Sequence, residues 1–249
     1  MKRATILITQ TKRTLMTVKC ATVQLAVLVT LATGSYNAQA ANGNPRVIPP
    51  NASYRGLTYS EWEAKWWQAA FALPVVNGDH PVISGGAFGG EDGVVFLAAV
   101  VGAPVTVNLT IPAGTPLFVP VINAECSVIE PDPFHGDDET ELRECANDHI
   151  DNTSGLSAKI DGKPVNNLDA YRVESLLFEF GPLPADNFLA FTGVNAPAGA
   201  TSPSVDAGVY LLLAPLSVGT HTVHVGGTFD EFGVSIDTTF NITVVPQKP

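Results

Sequence analysis

Four closely spaced carboxylates are the strongest candidate for a metal site in the sequence. Asp137, Asp138, Glu139 and Glu141 lie in a single short run, and clustered hard oxygen ligands suit Ca²⁺. The run lacks the ligand spacing and the glycine of an EF-hand loop, so a solvated acidic loop is the alternative interpretation. We treat calcium at these four residues as a hypothesis, and the sequence suggests no other cofactor.

Cys126 and Cys145 form an even pair in the part of the chain that follows the N-terminal segment. In an oxidising compartment such a pair is typical of a disulfide. Closing a loop of about 20 residues stabilises a fold by roughly 3 kcal/mol in the chain-entropy model. A metal site that combines both cysteines with His135 and His149 is the alternative, but the spacings match no zinc motif.

Three tryptophans lie on the helix that the sequence predicts over residues 62–73. Trp62 and Trp66 share one face of this helix with small and apolar residues, and Trp67 widens that face. Pro74 ends the helix, and Thr58 with Glu61, or Ser60 with Glu63, supplies a capping box at its start. The face is typical of a helix that covers a sheet, and a sugar-stacking platform of Trp62, Trp66 and Trp67 is the alternative.

Local signatures of catalysis are absent from the sequence. It contains no His-Glu-x-x-His, no Gly-x-Ser-x-Gly nucleophile elbow, no Walker loop and no Gly-x-Gly-x-x-Gly fingerprint. A pair of carboxylates drawn from separate loops, as in glycosidases, leaves no such local signature. The missing motifs therefore do not exclude a catalytic site built from residues that are distant in the sequence.

The N-terminal segment is typical of a bacterial signal peptide. Five bases and no acid occur in residues 1–40, and the apolar run 21–32 is too short to span a membrane of roughly 20 residues. Ala38-Gln39-Ala40 predicts cleavage before Ala41, whether translation starts at Met1 or at Met16. We therefore expect a protein that is secreted, periplasmic or on the cell surface, with no integral membrane segment in the mature chain.

Charge argues against several classes of partner. Removing the five N-terminal bases from the 13 in the chain leaves eight against 24 acids, a net charge of −16 over residues 41–249. Such a chain is repelled by nucleic acid and by anionic membranes, so neither is an expected partner. Ten of the acids fall between residues 125 and 151, which we interpret as a long surface excursion with a short helix over residues 139–147.

Alternating and continuous apolar runs predict a mainly β protein. We expect an extended lead-in over residues 41–56 and a single domain over 57–249, an antiparallel β-sandwich of about eight strands with one N-terminal amphipathic helix. The first three strands should form a meander, with the third central in its sheet despite Pro120. The predicted strands span residues 93–101, 105–111, 115–122, 156–161, 172–180, 209–214, 220–229 and 234–244.

Several segments resemble an uncharacterised family of exported bacterial proteins that begin with a Trp-rich helix and end in sandwich strands. The segments are Leu-Thr-Tyr-Ser-Glu-Trp at 57–62, Trp-Trp-Gln at 66–68, Ile-Pro-Ala-Gly-Thr-Pro-Leu-Phe-Val-Pro-Val-Ile-Asn at 111–123 and Gly-Thr-His-Thr-Val at 219–223. The resemblance implies a fold for most of the mature chain but no activity. The final hairpin separately resembles immunoglobulin-like domains.

Two functions from different classes follow. The absence of catalytic motifs favours a non-catalytic exported β-sandwich that binds a glycan or a protein, or that serves as a component of the cell envelope or extracellular matrix. The alternative is a secreted hydrolase that acts on polysaccharide with carboxylates from separate loops.

Overall fold

Two β-sheets pack against each other in the computed structural model, which describes residues 44, 46–90 and 93–247. The predicted signal peptide over residues 1–40 and its cleavage site lie outside these residues. The helices are α1 (Tyr59–Phe71), α2 (Pro81–Ser84), α3 (Glu139–Asp151) and α4 (Phe188–Phe191), with a 3-10 turn at Leu168–Tyr171. The strands are β1 (Gly86–Gly89), β2 (Val95–Ala98), β3 (Val105–Pro112), β4 (Leu117–Ser127), β5 (Thr153–Ile160), β6 (Lys163–Pro164), β7 (Arg172–Glu174), β8 (Phe178–Phe180), β9 (Ser202–Leu213), β10 (Gly219–Phe229) and β11 (Val234–Val245).

The predicted sandwich is confirmed, with eleven strands among the described residues and two mixed sheets. The first sheet has the order β1-β2-β4-β9-β7, and β8 also pairs with β9. The second has the order β3-β11-β10-β5-β6. Most neighbours are antiparallel, but β2 pairs with β4 and β3 pairs with β11 in parallel.

The predicted meander of the first three strands is wrong. After β2 the chain crosses to the second sheet, where β3 runs along β11, and it then returns to the first sheet as β4. Alternation along β3 correctly indicates one half-buried and one exposed face, but alternation does not identify the neighbouring strand. The expected central position of the third strand is confirmed, since β4 lies between β2 and β9 and is almost wholly buried.

Pro120 is accommodated by an irregularity in β4. The pairing with β9 is regular up to Pro120 opposite Tyr210 and resumes one residue out of step at Ile122 opposite Val209. A bulge is one of the few places where a strand tolerates a residue without an N–H donor. The extra residue lets a proline occupy a central strand.

Helix α1 begins at the first of the two predicted capping boxes. Thr58 Oγ1 accepts a hydrogen bond from the Glu61 amide, and Glu61 Oε2 accepts one of 2.7 Å from the Thr58 amide. The buried hydroxyl of Tyr59 donates to Ile48 O at 2.7 Å and accepts from the Leu212 amide at 3.0 Å. Part of the expected lead-in is therefore fixed to the sandwich, because the Ile48 amide also donates to Leu212 O.

The acidic segment is more firmly packed than a surface excursion. Helix α3 extends to Asp151, four residues beyond the predicted end, and it packs on β4 and β9. Its buried face consists of Leu142, Ala146, His149 and Ile150. A disulfide between Cys126 on β4 and Cys145 on α3, with Cα atoms 6.2 Å apart, links the helix to the sheet.

Three other segments differ from the sequence prediction. The glycine-rich connection at residues 85–90 contains β1, which pairs with β2. The strand predicted over residues 172–180 is divided into β7 and β8, which pair with different parts of β9. The segment 182–203, where the sequence predicts no strand, contains α4 and the first residues of β9. None of the described helices has the length and hydropathy needed to cross a membrane.

Candidate functional site

A cavity of about 530 Å³ lies between α1, β4, α4 and the β10–β11 end of the second sheet. The segment 130–134 closes another side of it. Its wall is mainly aromatic and aliphatic, and the aromatic members are Trp66, Trp67, Phe71, Phe134, Phe188, Phe229 and Phe232. Pockets of this size and apolar character with a few polar groups are typical of small-molecule sites.

Two glutamates provide the main polar feature of this wall. Glu125 projects from β4 and Glu130 lies in the loop after that strand. Their carboxyl groups hydrogen-bond to each other. Each also accepts from a serine hydroxyl, Glu125 from Ser204 and Glu130 from Ser127, the latter at 2.7 Å. A hydrogen bond between two carboxyl groups requires at least one proton, so at least one member of the pair is protonated when the bond is formed.

Burial and mutual repulsion control the ionisation of this pair. Burial raises the pKa of Glu125 well above its ordinary value, and the charge of Glu130 raises it further. Burial also raises the pKa of Glu130, but hydrogen bonds from Glu125 and Ser127 oppose that effect. The pair therefore holds a proton more tightly than isolated glutamates do, and it places two interacting carboxyl groups in an aromatic pocket.

Two more buried acids lie next to the pair, although they do not line the pocket. Glu63 on α1 is 0 % exposed, and neither of its carboxylate oxygens has a hydrogen-bond partner among the described residues. Asp206 on β9 is also 0 % exposed, and its Oδ2 accepts a hydrogen bond of 2.7 Å from the Tyr210 hydroxyl. We call Glu63, Asp206, Glu125 and Glu130 the acid row.

The members of the acid row influence one another electrostatically. Burial raises the pKa of Glu63 well above its usual value, and the charges of Asp206 and Glu174 add to the shift. Burial likewise raises the pKa of Asp206, against hydrogen bonding that favours its charged form. Asp206 also contributes to the raised pKa of Glu125. The row therefore holds bound protons at pH values where isolated acids would be ionised.

Sequence analysis missed the acid row, but the sequence contains a signal for two of its members. Glu63 occupies the helical position three residues before Trp66 and four before Trp67, which is the apolar face of α1. Asp206 interrupts a strand that is otherwise apolar for most of its length. A charged residue at a core position of a periodic segment is an exception to normal burial and is therefore a functional candidate.

The three tryptophans occupy buried positions on α1. Trp62 is 0 % exposed and packs edge-on against Phe96. The indole N–H of Trp66 donates to Leu97 O at 3.0 Å. Trp66 and Trp67 contribute to the wall of the pocket, whereas Trp62 does not. The structure therefore places these residues in the core and the pocket wall instead of on an exposed sugar-stacking platform.

The four residues of the calcium hypothesis lie around the first turn of α3. Asp138 is the N-cap and accepts hydrogen bonds from the amides of Thr140 and Glu141. Glu141 accepts from the Asp137 amide at 2.8 Å, and Glu139 pairs with Arg143 at 2.6 Å. These contacts give three of the four carboxylates a role at the helix terminus. Calcium binding at Asp137, Asp138, Glu139 and Glu141 stays a prediction.

Comparison of the chain with protein-family models, with curated proteins and with solved structures finds no match. The resemblance to an exported bacterial family and the immunoglobulin-like character of the final hairpin therefore stay predictions. Function has to be inferred from the pocket and the acid row.

Proposed function

We propose that this protein is an exported, non-catalytic binding protein whose pocket takes a small organic cation with an apolar body. The observation that carries the proposal is the Glu125–Glu130 pair, which adds two interacting carboxyl groups to a pocket lined mainly by aromatic rings. A ligand that enters this pocket must bury apolar surface and compensate a carboxylate.

The composition of the wall favours a cation over a neutral or anionic ligand. Glu125, Glu130 and Asp132 line the pocket, and no Lys, Arg or His is among its described lining residues. Aromatic faces attract cations through the ring quadrupole, an effect of roughly 2 kcal/mol when the cation is desolvated. An amine or quaternary ammonium group near Glu130 would satisfy both the carboxylate and the rings.

The contact between the two carboxyl groups favours binding over glycoside hydrolysis. In glycosidases the acid and its partner stand about 5–10 Å apart, with the scissile bond or a water between them. Glu125 and Glu130 instead hydrogen-bond to each other and are each held by a serine. Polysaccharide hydrolysis remains the alternative function because two carboxyl groups do share one pocket.

Export is part of the proposal. The basic and apolar N-terminal segment with its Ala-x-Ala site supports translocation across a bacterial membrane. The Cys126–Cys145 disulfide is compatible with an oxidising compartment. A glycan or protein partner at another surface stays an untested prediction.

Calorimetric titration with three probes of similar shape tests the ligand class. The probes are benzyltrimethylammonium, its neutral carbon isostere neopentylbenzene, and benzoate. We expect the cation to bind at least about tenfold more tightly than the isostere, a difference of ~1.4 kcal/mol. Benzoate should not bind measurably. Fluorescence provides a second readout because Trp66 and Trp67 line the pocket.

The double variant Glu125→Gln/Glu130→Gln should lose the preference for the cation while still folding. Glu144→Gln, which removes an exposed acid from α3, is the matched control and should bind like the wild type. Equal affinity for the cation and the isostere would contradict the ligand class. Turnover of oligosaccharides by the wild type, abolished by Glu130→Gln, would instead establish the hydrolase.

A further inference from the structure

His149 lies beside the disulfide, on the same helix as Cys145. Its Nε2 is 3.8 Å from Cys145 Sγ. The two residues lie four positions apart on α3, on the same side of the helix. One nitrogen of His149 and the sulfurs of Cys126 and Cys145 all lie within 4.8 Å of one another. His135, the other histidine of this segment, hydrogen-bonds to the Asp137 carboxylate and to the Glu130 backbone carbonyl and is not part of this group.

The distance between His149 and Cys145 is close to an edge of a tetrahedral zinc site. Zn–S bonds of about 2.3 Å and Zn–N bonds of about 2.05 Å place sulfur and nitrogen ligands roughly 3.6 Å apart at the tetrahedral angle. The Nε2 to Sγ separation of 3.8 Å is already close to that value. Two thiolate ligands of one zinc ion would lie about 3.8 Å apart, so the two sulfurs move apart once their bond is broken.

The other ring nitrogen of His149 is held as in zinc proteins. Nδ1 forms a short contact with a carboxylate oxygen of Glu231, which leaves Nε2 on the side of the sulfurs. Nε2 now contacts the Pro133 carbonyl at 3.0 Å. A carboxylate at the remote nitrogen fixes the orientation of a ligating histidine and raises its basicity.

The surroundings provide a hydrophobic shell with one accessible side. Phe134 and Phe232 pack against the imidazole of His149, with ring centroids 4.8 and 5.4 Å away. Cys126 is fully buried, whereas Cys145 is partly exposed. A metal held by these three residues would have a fourth coordination position open to water, on the partly exposed side of the site near Cys145.

We propose that Cys126, Cys145 and His149 form a zinc site that exists only when the disulfide is reduced, with Glu231 as the positioning residue for His149. In the oxidised protein the two sulfurs are bonded to each other and have no thiolate to offer. The site is a redox-dependent alternative to the disulfide at the same link between α3 and β4. The zinc site does not require the ligand proposed for the aromatic pocket, although Phe134 and Phe232 contact His149 and also line that pocket.

A dithiol reductant supplies the electrons and protons that convert the disulfide into two zinc-binding thiols. The dithiol gives two electrons and two protons to the Cys126–Cys145 bond, which breaks into two thiols, and the reductant becomes a disulfide. Zn²⁺ then displaces the two thiol protons and the proton that His149 Nε2 donates to the Pro133 carbonyl; all three protons pass to the solvent and the metal takes the place of that carbonyl. A disulfide oxidant reverses the sequence: it takes up the two electrons and becomes a dithiol, the Cys126–Cys145 bond re-forms and the metal is released.

Cobalt substitution tests the site in the full mature protein. Co²⁺ is added to protein reduced with a phosphine, and a parallel sample stays oxidised. We expect one Co²⁺ per reduced chain, with thiolate-to-cobalt charge transfer and the intense visible bands of tetrahedral Co²⁺. Zn²⁺ should displace it stoichiometrically, and the oxidised sample should show neither band.

Three variants separate this site from incidental thiol binding. His149→Gln should weaken Co²⁺ affinity at least tenfold and change the visible bands, and Glu231→Gln should weaken it about 10–100-fold. His135→Gln is the matched control and should behave like the wild type. Far-ultraviolet circular dichroism of the reduced chain shows whether the sheets persist.

Either of two results overturns the proposal. One is a reduced wild type that shows no thiolate-to-cobalt band, whether folded or unfolded. The other is a His149→Gln variant that binds Co²⁺ with wild-type affinity and spectrum, because binding would then involve the thiols alone.

Discussion

Glu63 is a buried carboxyl group whose oxygens have no hydrogen-bond partner in the described structure. It is fully buried on the tryptophan face of α1, and both of its carboxylate oxygens lack hydrogen-bond partners there. An ionised carboxylate in such a position costs several kcal/mol, so the group keeps its proton instead. The raised pKa of Glu63 is the expected consequence of that cost.

This protonation makes stability depend on pH in a defined direction. Between the ordinary glutamate pKa and the raised value, folded Glu63 holds a proton that the unfolded chain has released. The contribution of Glu63 to stability is therefore complete below about pH 4.5 and is lost as pH rises through that window, by up to ~1.4 kcal/mol per pH unit. Asp206 and Glu125 act in the same direction because their pKa values are also raised.

Glu63→Gln should therefore raise the melting temperature at about pH 8 and flatten its decline between about pH 5 and pH 8. The amide cannot ionise, so the variant no longer has to bind a proton in order to fold. Glu144→Gln is the control because it removes an exposed acid from α3. Thermal unfolding across this pH range measures the effect. Equal slopes for Glu63→Gln and the wild type would contradict the protonated state of Glu63.

At the scale of elements, the start of α1 is fixed by a single hydroxyl. Tyr59 joins the lead-in at Ile48 to β9 at Leu212 through one donated and one accepted hydrogen bond. Its ring also packs against Phe118 on β4 and against Tyr171. One side chain therefore links the helix to four other parts of the chain.

Tyr59→Phe should destabilise the protein by about 1–3 kcal/mol. The ring remains in place, but the Ile48 carbonyl and the Leu212 amide lose their common partner in a buried region. Chemical denaturation should report a lower midpoint with an unchanged slope. Tyr54→Phe, at a partly buried position, is the control and should cost far less. A change below about 0.5 kcal/mol for Tyr59→Phe would show that water replaces the hydroxyl.

Local sequence patterns predicted the elements better than their partners. The Thr58–Glu61 capping box, the alternation in β11 and the buried character of β4 depend on neighbouring residues and were confirmed. The parallel pairing of β3 with β11 depends on residues more than 120 positions apart, and nothing in a single alternating strand selects that neighbour. The carboxyl pair of Glu125 and Glu130 likewise depends on how the loop after β4 returns to the sheet.

At the scale of the whole molecule, export and processing can be tested by measuring the intact mass of the protein recovered outside the cytoplasm. We expect a chain that begins at Ala41 and contains one Cys126–Cys145 bond, recovered outside the cytoplasm. Reduction should add the mass of two hydrogens, and subsequent alkylation should label two cysteines. Two free thiols in protein recovered from that fraction would contradict the disulfide, and a retained N-terminal segment would contradict the cleavage site.

The parallel pairing of β3 with β11 also determines when the second sheet can be completed. Because β11 lies between β3 and β10, neither of these strands gains its final neighbour before β11 is available. A ribosome or a translocation pore releases the chain from its N-terminus, so β3 emerges long before the strand it needs. Contacts of such long sequence separation fold slowly. During synthesis β3 therefore lacks this neighbour until β11 is available, and in that interval its unpaired edge can associate with other chains.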